Sequence, residues 1–464
     1  MNNNILTIAL GTMISLSACS DFLDTVPKGK VIPTTVEDFG MIINDPSLTA
    51  SYDGLPYFGS DDVQAEKQSI NMTTAWYKAY FWQDNFYRKD ETDYVWNDLY
   101  KYIYTTNLVL ENVYNASGGT DAEKNRIASE AKIQRAYYYW VLQSLYGPAS
   151  NNKNAGAEMS VPMPLTNNLE AVLSRANMTT VNTQILNDLN GLDAYLPAKG
   201  SNLYKPNKAS AWAIKARVLF YMGEYDQAAE AAQHALDEKS DIDDMRQWEF
   251  AGEYPSGKIN HRKLNEMATE NLWFHKCNGS GILRLMPMSS ELKALYEKYP
   301  NDLRLKFYFS PIDNKGKPFF PASNAYCFIQ TTPIHFISVA EMMLIKAEAM
   351  ARKNDAKALD ILNELRKYRF AEEDFQPLTK ADGKDLLQIV LDERRRELAV
   401  YNLRWFDMKR LAAEGLYTKT LTRTTPDNEK CTLEPNSDKY LFPIPLKVML
   451  QNPNIQPNSR QHEK

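Results

Sequence analysis

Residues 211–236 read AWAIKARVLFYMGEYDQAAEAAQHAL, and the spacing within them decides the fold. Trp212, Ala216, Gly223, Tyr225, Ala228 and Ala235 stand where a tetratricopeptide-type helix pair needs a large ring, a small contact, a turn, a second ring and two small contacts. Gly223 accepts the positive φ that ends a first helix. The alanines let two antiparallel helices approach closely. Lys215 departs from the pattern, which usually carries Leu there. One such pair cannot bury its own apolar face, so further pairs must stack on it.

Outward from this pair, which spans about 207–237, looser helix pairs are expected at about 96–146 and 338–368, with a C-terminal helix over about 384–413. Gly147-Pro148 is a strong stop for the first of these pairs. Loop-rich insertions at 35–90, 147–179, 241–288 and 310–332 separate the helices, punctuated by Gly, Pro, Asn and Asp. The expected fold is therefore mainly α, a tetratricopeptide-like helix-pair scaffold with loop-rich insertions. Ordered loops of such length usually carry function.

The 464 residues hold 53 Lys and Arg against 58 Asp and Glu, a formal net charge of −5. That balance excludes a general nucleic-acid binder, which needs a basic stripe to neutralise phosphates. Charged residues at 24% and apolar residues at 44% fit a globular protein and not a disordered one. A mean hydropathy of −0.48 excludes a multi-span membrane protein. Rings are plentiful, with 27 Tyr, 18 Phe and 8 Trp. Part of that surface is expected to be exposed for binding.

The N-terminus carries an address. Residues 5–18, ILTIALGTMISLSA, are too short to span a bilayer but fit the apolar region of a secretory signal. They end in Leu16-Ser17-Ala18-Cys19. Small residues before a cysteine resemble a bacterial lipobox, so 1–18 is expected to be removed and Cys19 to carry acyl chains. The opening Met1-Asn2-Asn3-Asn4 lacks the Lys or Arg usual in such signals. Cys277, Cys327 and Cys431 lie far apart and read as free thiols, and no Cys/His cluster suggests zinc.

Several further motifs, in one order, give a specific resemblance. Ser20-Asp21-Phe22-Leu23-Asp24-Thr25-Val26-Pro27 follows the lipobox cysteine. Then come Trp96…Tyr100…Ile103…Asn107, Arg135-Ala136-Tyr137 running to Leu145-Tyr146-Gly147-Pro148, and YPNDLR at 299–304. Glu341…Leu344…Ala347-Glu348-Ala349 and Leu362-Asn363-Glu364-Leu365-Arg366 precede Glu393-Arg394-Arg395-Arg396-Glu397-Leu398 and Arg404-Trp405-Phe406-Asp407. Leu441-Phe442-Pro443-Ile444-Pro445 and Asn452-Pro453-Asn454 close the chain. Together these resemble the SusD/RagB family of Bacteroidetes outer-membrane lipoproteins over essentially the whole of 19–464. Val400-Tyr401-Asn402 departs from the family's more usual Phe-Glu-Gly.

The resemblance implies a SusD-like α/α superhelix forming one domain, lipid-anchored at the outer membrane and facing the cell surface. It implies a SusC-like TonB-dependent transporter as partner. The ligand it implies is a glycan, or a peptide in the RagB-like branch. On a helix, Glu393 and Glu397 share a face, Arg394 meets Glu397, and Arg404 returns near that face. A carboxylate site and a packing network both fit, and the network is preferred because Arg suits paired carboxylates at interfaces.

Glycan recognition needs flat rings against pyranose C–H faces and amides or carboxylates at the hydroxyls. The densest such stretch is WYKAYFWQDNFY at 76–87. Trp82 is the expected platform and Asn85 the hydroxyl partner, with Trp76 and Tyr80 in support. Trp248 and Phe250 form a second candidate, whereas Trp273 reads as core. The competing reading is that these rings plug the core under the helices.

Catalysis has no motif: GxSxG, HExxH, GxGxxG and the P-loop are all missing from the sequence. No enzyme activity and no cofactor are expected. DIDD at 241–244 is compatible with a structural Ca²⁺ but lacks EF-hand spacing, and a solvated acidic turn is its default reading. Besides glycan or peptide capture, a tetratricopeptide-type protein-interaction scaffold and a cell-surface hydrolase are the other classes to test.

Overall fold

A computed structural model describes residues 33–49, 52, 54–66, 70–250, 269–275, 286–313, 315–323, 325–329, 336–380 and 385–461. The expected signal and Cys19 lie outside the described residues, as does Cys277.

The first described helix, α1 (Val36–Ile43), starts at a reciprocal cap between Thr35 and Asp38. Two short helices follow, α2 (Leu55–Gly59) and α3 (Ala75–Tyr80), packed on each other. The long pair comes next. α4 (Tyr94–Asn112) opens on the Asp93 side chain, which accepts from the Trp96 N–H. α5 (Asp121–Tyr146) opens on a Thr120/Glu123 capping box. It stops at Gly147, where a Cβ would stand 2.4 Å from Gln143 Oε1.

α5 is enclosed on nearly every side. Tyr137, Tyr138 and Tyr139 are consecutive, so they point in three directions, yet all are fully buried. A helix buried on every face belongs at the centre of its neighbours, and its buried polar side chains must find partners there. α1, α4, α6 (Met178–Asp188) and α7 (Lys208–Tyr221) surround it. Arg135 on α5 binds both Asp188 oxygens, at 2.8 and 2.7 Å, and Asn107 Oδ1 at 2.8 Å, tying three of these helices.

The opening motif forms α7 and α8 (Tyr225–Glu238), joined at Gly223 with φ 79°. Ala216, Ala228, Ala232 and Ala235 are fully buried between the helices and their neighbours. Lys215, the departure from the repeat pattern, sits 5.1 Å over the Trp212 ring. The later helices are α9 (Ser290–Glu297), α10 (Leu303–Tyr308), α11 (Val339–Arg352), α12 (Lys357–Arg366), α13 (Leu386–Glu397), α14 (Arg404–Ala413) and α15 (Leu446–Gln451). α11 packs on α7, α8, α12 and α13, so the pairs stack as a layered superhelix. The fold is mainly α.

Strands are short among the described residues. β1 (Met159–Pro162) pairs with β2 (Arg175–Asn177), β3 (Asn271–Trp273) with β6 (Ile337–Ser338), and β4 (Phe309–Ser310) with β5 (Cys327–Phe328). β7 (Leu421–Thr424) and β8 (Lys430–Leu433) form a hairpin. Every ladder is antiparallel.

Two sequence expectations need correction here. The C-terminal helix over about 384–413 is not continuous. A 3-10 turn and Asn402, at φ 57°, separate α13 from α14. Asn is among the few side chains that accept the left-handed region. The partners of Glu397 also differ from those expected. Arg394 bonds Asp407 at 2.9 Å and Arg404 bonds Asp61, whereas Glu397 receives Arg304 at 2.9 Å and Arg369 at 2.6 Å. Glu393 is held by Arg304, Arg366 and Arg396 at 2.6–3.0 Å. At Glu397 residues distant in sequence replace the helical neighbour Arg394: Arg304 arrives on α10 and Arg369 just past the end of α12, both on the buried side. Burial pushes the Glu393 carboxyl up, but Arg304, Arg396 and Arg366 outweigh it and hold it well below the usual range.

Candidate ligand-binding site

The site begins with an alternation. Thr418, Thr420, Thr422 and Thr424 fall at every second position of the segment leading into and through β7, interleaved with Lys419, Leu421 and Arg423. Period two places hydroxyls on one face and Leu421 and Arg423 on the other. Leu421 and Arg423 are buried, while Thr422 and Thr424 are exposed. The hairpin loop has its own chemistry: Pro426 follows Thr425, and Asn428 takes φ 69°. Thr425 N–H bonds Glu429 O at 2.9 Å and Asn428 N–H bonds Thr425 O at 3.0 Å. This is a three-residue loop with a type I turn and a left-handed residue.

The register fixes where the backbone points. Arg423 lies opposite Cys431, and Thr425 donates to Glu429 across the same ladder. Backbone groups alternate between facing the partner strand and facing away. Those of Thr422 and Thr424 therefore face away from β8. The far edge of β8 is partly closed, because Lys439 Nζ donates to Thr432 O at 3.0 Å. The far edge of β7 borders a cavity of about 470 Å³.

Segments distant in sequence wall this cavity: Asp61 and Val63 to Ala65 with Ile70, Tyr80 at the end of α3, Ser289 to Glu291, and Lys419 to Thr425. The extended backbone at Asp62 to Gln64 is pinned to 287–289 by Gln64 N–H to Pro287 O at 2.9 Å and Ser289 N–H to Asp62 O at 2.7 Å. Ser289 then caps α9, putting Glu291 in its first turn. Lys419 donates to Glu291, bridging β7 to α9. Asp61 is buried on the wall, gripped by Arg404 at 2.7 and 2.8 Å and by the Tyr417 hydroxyl at 3.1 Å. Burial pushes its carboxyl up, but Arg395 and Arg404 prevail and hold it well below the usual range. Arg423 makes no close ion pair among the described residues, Asp61 acting on it only from a distance. Its guanidinium donates to the carbonyls of Phe58 at 3.0 Å, Tyr80 at 2.5 Å and Ser60 at 2.5 Å. Burial brings its pKa down to about 10.

The expected ring platform is not where the sequence put it. Trp82 is 2% exposed, its indole N–H donates to Gly59 O at 2.9 Å, and Arg423 lies 4.4 Å over its ring. The cause is local. α3 ends in a Schellman turn, with Gln83 N–H on Lys78 O at 2.9 Å and Trp82 N–H on Ala79 O at 3.1 Å. Trp82 holds the left-handed position of that turn, φ 53°, where Gly is usual, and its ring is swung inward. Tyr80 is 5% exposed, and its hydroxyl accepts from Ala65 N–H at 3.0 Å. It still lines the cavity, alone among the six predicted contact residues.

Trp76 is half-buried and leans on Phe58 at 5.3 Å. Asn85 is half-buried, its Oδ1 accepting from Gln461 at 3.0 Å. Trp248 is buried and meets Phe307 at 5.6 Å, and half-buried Phe250 packs on the same ring at 5.2 Å. These two belong together but away from the β7 cavity. Trp273 is core, its indole donating to Tyr204 O at 3.1 Å. Of the acidic turn, Asp243 Oδ1 accepts from Thr269 N–H at 3.1 Å and Asp244 chelates Arg246 at 2.7 and 2.8 Å. Among the described residues no cluster of His, Cys, Asp and Glu is arranged for a metal. No described helix is long and apolar enough to cross a membrane.

The chain matches two family models: one described as starch-binding associating with outer membrane, over residues 21–220, and one described as the SusD family, over residues 329–460. SusD-like protein P2 of Formosa agariphila is 22% identical over 430 residues, 81% of this chain and 82% of that protein. Among solved structures, a SusD superfamily protein from Bacteroides thetaiotaomicron superposes with a TM-score of 0.71 at 21% identity, covering 91% of this chain and 99% of its own. A laminarin-binding SusD-like protein superposes with a TM-score of 0.65 at 18% identity, covering 92% of this chain and all of its own (100%). At these identities the solved structures speak for the fold alone.

Proposed function

We propose a function for a chain that belongs to the SusD/RagB family: it is a cell-surface lipoprotein, tethered at the outer membrane through Cys19, that captures oligo- or polysaccharide and passes it to a SusC-like TonB-dependent transporter. The observation that carries the glycan reading is the β7 cavity, an open, hydroxyl-lined space of about 470 Å³ between the 61–70 segment, the start of α9 and β7. Threonine hydroxyls and outward strand amides offer donors and acceptors side by side, which is what a vicinal diol needs. Micromolar to millimolar affinity, about −8 to −4 kcal/mol, suffices for such a role. Capture at a transporter mouth adds effective concentration.

The role is binding and not bond cleavage. The carboxylates at the cavity are already engaged, Asp61 by Arg404 and Tyr417 and Glu291 by Lys419. One observation also favours the peptide alternative: the outer edge of β7 is a template for an extended peptide. Migration of residues 20–464 through native gels containing single polysaccharides separates the two. Retardation by a glycan supports capture. Unretarded migration in every gel, together with binding to a peptide library, would replace the glycan by a peptide. Loss of membrane association in Cys19→Ala tests the tether.

A further inference from the structure

The charged side chains at the β7 cavity are already engaged within the protein, and this bears on which glycans fit. Lys419 and Glu291 are the exposed ones, with side chains 44% and 48% accessible, and they bond each other across the cavity. Arg404 spends both its hydrogen bonds on Asp61 and lies 3.9 Å from Asp62 as well. Arg423 also lines the cavity, but it is buried and its terminal nitrogens are spent on backbone carbonyls. Among the described lining residues, no cation is left over for a ligand.

We propose that this cavity selects uncharged glycans, and that the Lys419–Glu291 pair sets the selectivity. The inference rests on the glycan reading above and narrows its substrate class. A carboxylate or sulfate group entering here would shed water without gaining a counter-ion, which is costly. It would also meet the Glu291 carboxylate. A neutral sugar hydroxyl both donates and accepts, so it matches Thr422 and Thr424 without either penalty. Lys419, the exposed cation of the lining, becomes available only if its partner loses charge.

The test is a glycan array carrying neutral, uronate-containing and sulfated oligosaccharides, probed with the intact protein and with E291Q, and followed by titration of the best neutral and best anionic binders. The expected result is a neutral glycan as strongest ligand. In E291Q the anionic-to-neutral affinity ratio should rise about fivefold, the scale of one exposed charge pair. In the double variant E291Q/K419Q the ratio should return to the starting level. Thermal melting of each variant checks folding. A uronate or sulfated glycan as strongest ligand of the unmodified protein overturns the inference while leaving glycan capture standing, as does a ratio unmoved by E291Q. An array with no glycan retained overturns the functional reading and this inference with it.

Discussion

The Arg423 guanidinium carbon lies 3.7 Å from the centre of the Tyr80 ring, with the Trp82 ring 4.4 Å away on the same cation. Residues separated by more than three hundred positions thus form one stack. It joins the inner face of β7 to the aromatic segment and its turn. The rings of that segment hold the cavity's floor in place, and the groups proposed to meet ligand sit on the strand above.

Removing the cation should loosen that floor. In Arg423→Met the carbonyls of Phe58, Ser60 and Tyr80 lose their donor in a buried place. The expected cost is about 3 kcal/mol. It is measured as a lower urea midpoint.

Trp82→Ala is expected to act as a core truncation. The ring is 2% exposed, so stability should fall by about 3–5 kcal/mol. Glycan affinity per folded molecule should change less than in the strand variant below. Calorimetric titration under conditions where the variant is folded checks this.

Thr424→Pro separates recognition from stability. Its N–H faces away from β8, so proline removes an outward donor and no ladder bond, and edge strands tolerate proline. Loss of one hydrogen bond, about 1 kcal/mol, predicts roughly fivefold weaker glycan binding. The melting temperature should stay close to that of the parent.

Acid should unfold the helix stack through its buried carboxylates. Glu393, Glu397, Glu348 and Asp407 all have folded pKa values below their ordinary ones, because arginines outweigh the effect of burial. A depressed folded pKa contributes stability that is fully present above the unfolded value and lost as pH falls through the folded one. With ordinary values of 4.5 for Glu and 3.8 for Asp, stability should plateau above about pH 5 and drop below pH 4. Glu393→Gln should lower the plateau and shallow the acid limb, read by denaturant titration at each pH.

The helix pairs were legible because their signals are local. Gly223 and the alanines of 211–236 report a turn and a close helix contact within one short window. The break at Asn402 was also local, yet the apolar period runs through it and hides it. The aromatic segment misled for a different reason. Ring density does not say which way rings point. A signal was present, since Tyr77, Tyr80 and Phe81 fall three and four apart and mark the inward stripe of α3. Trp82 joins them only because it occupies a left-handed turn position, which Gly or Asn would have announced and Trp does not. The cavity itself was out of reach. Its walls come from residues near 61, 290 and 420, brought together by pairing at 62–64 and by Arg423. The threonine alternation was the one local hint. It predicts a half-exposed strand but cannot say what faces it.

Amide hydrogen exchange, resolved to single residues and recorded with and without a saturating glycan ligand, tests the central claim most directly. The outward N–H groups of Thr422 and Thr424 should exchange rapidly in the free protein and slow markedly when ligand is bound, while Arg423, facing β8, stays protected throughout. Unchanged exchange at Thr422 and Thr424 under saturation, with new protection around Trp248 and Phe250 instead, would contradict the account and move the site elsewhere.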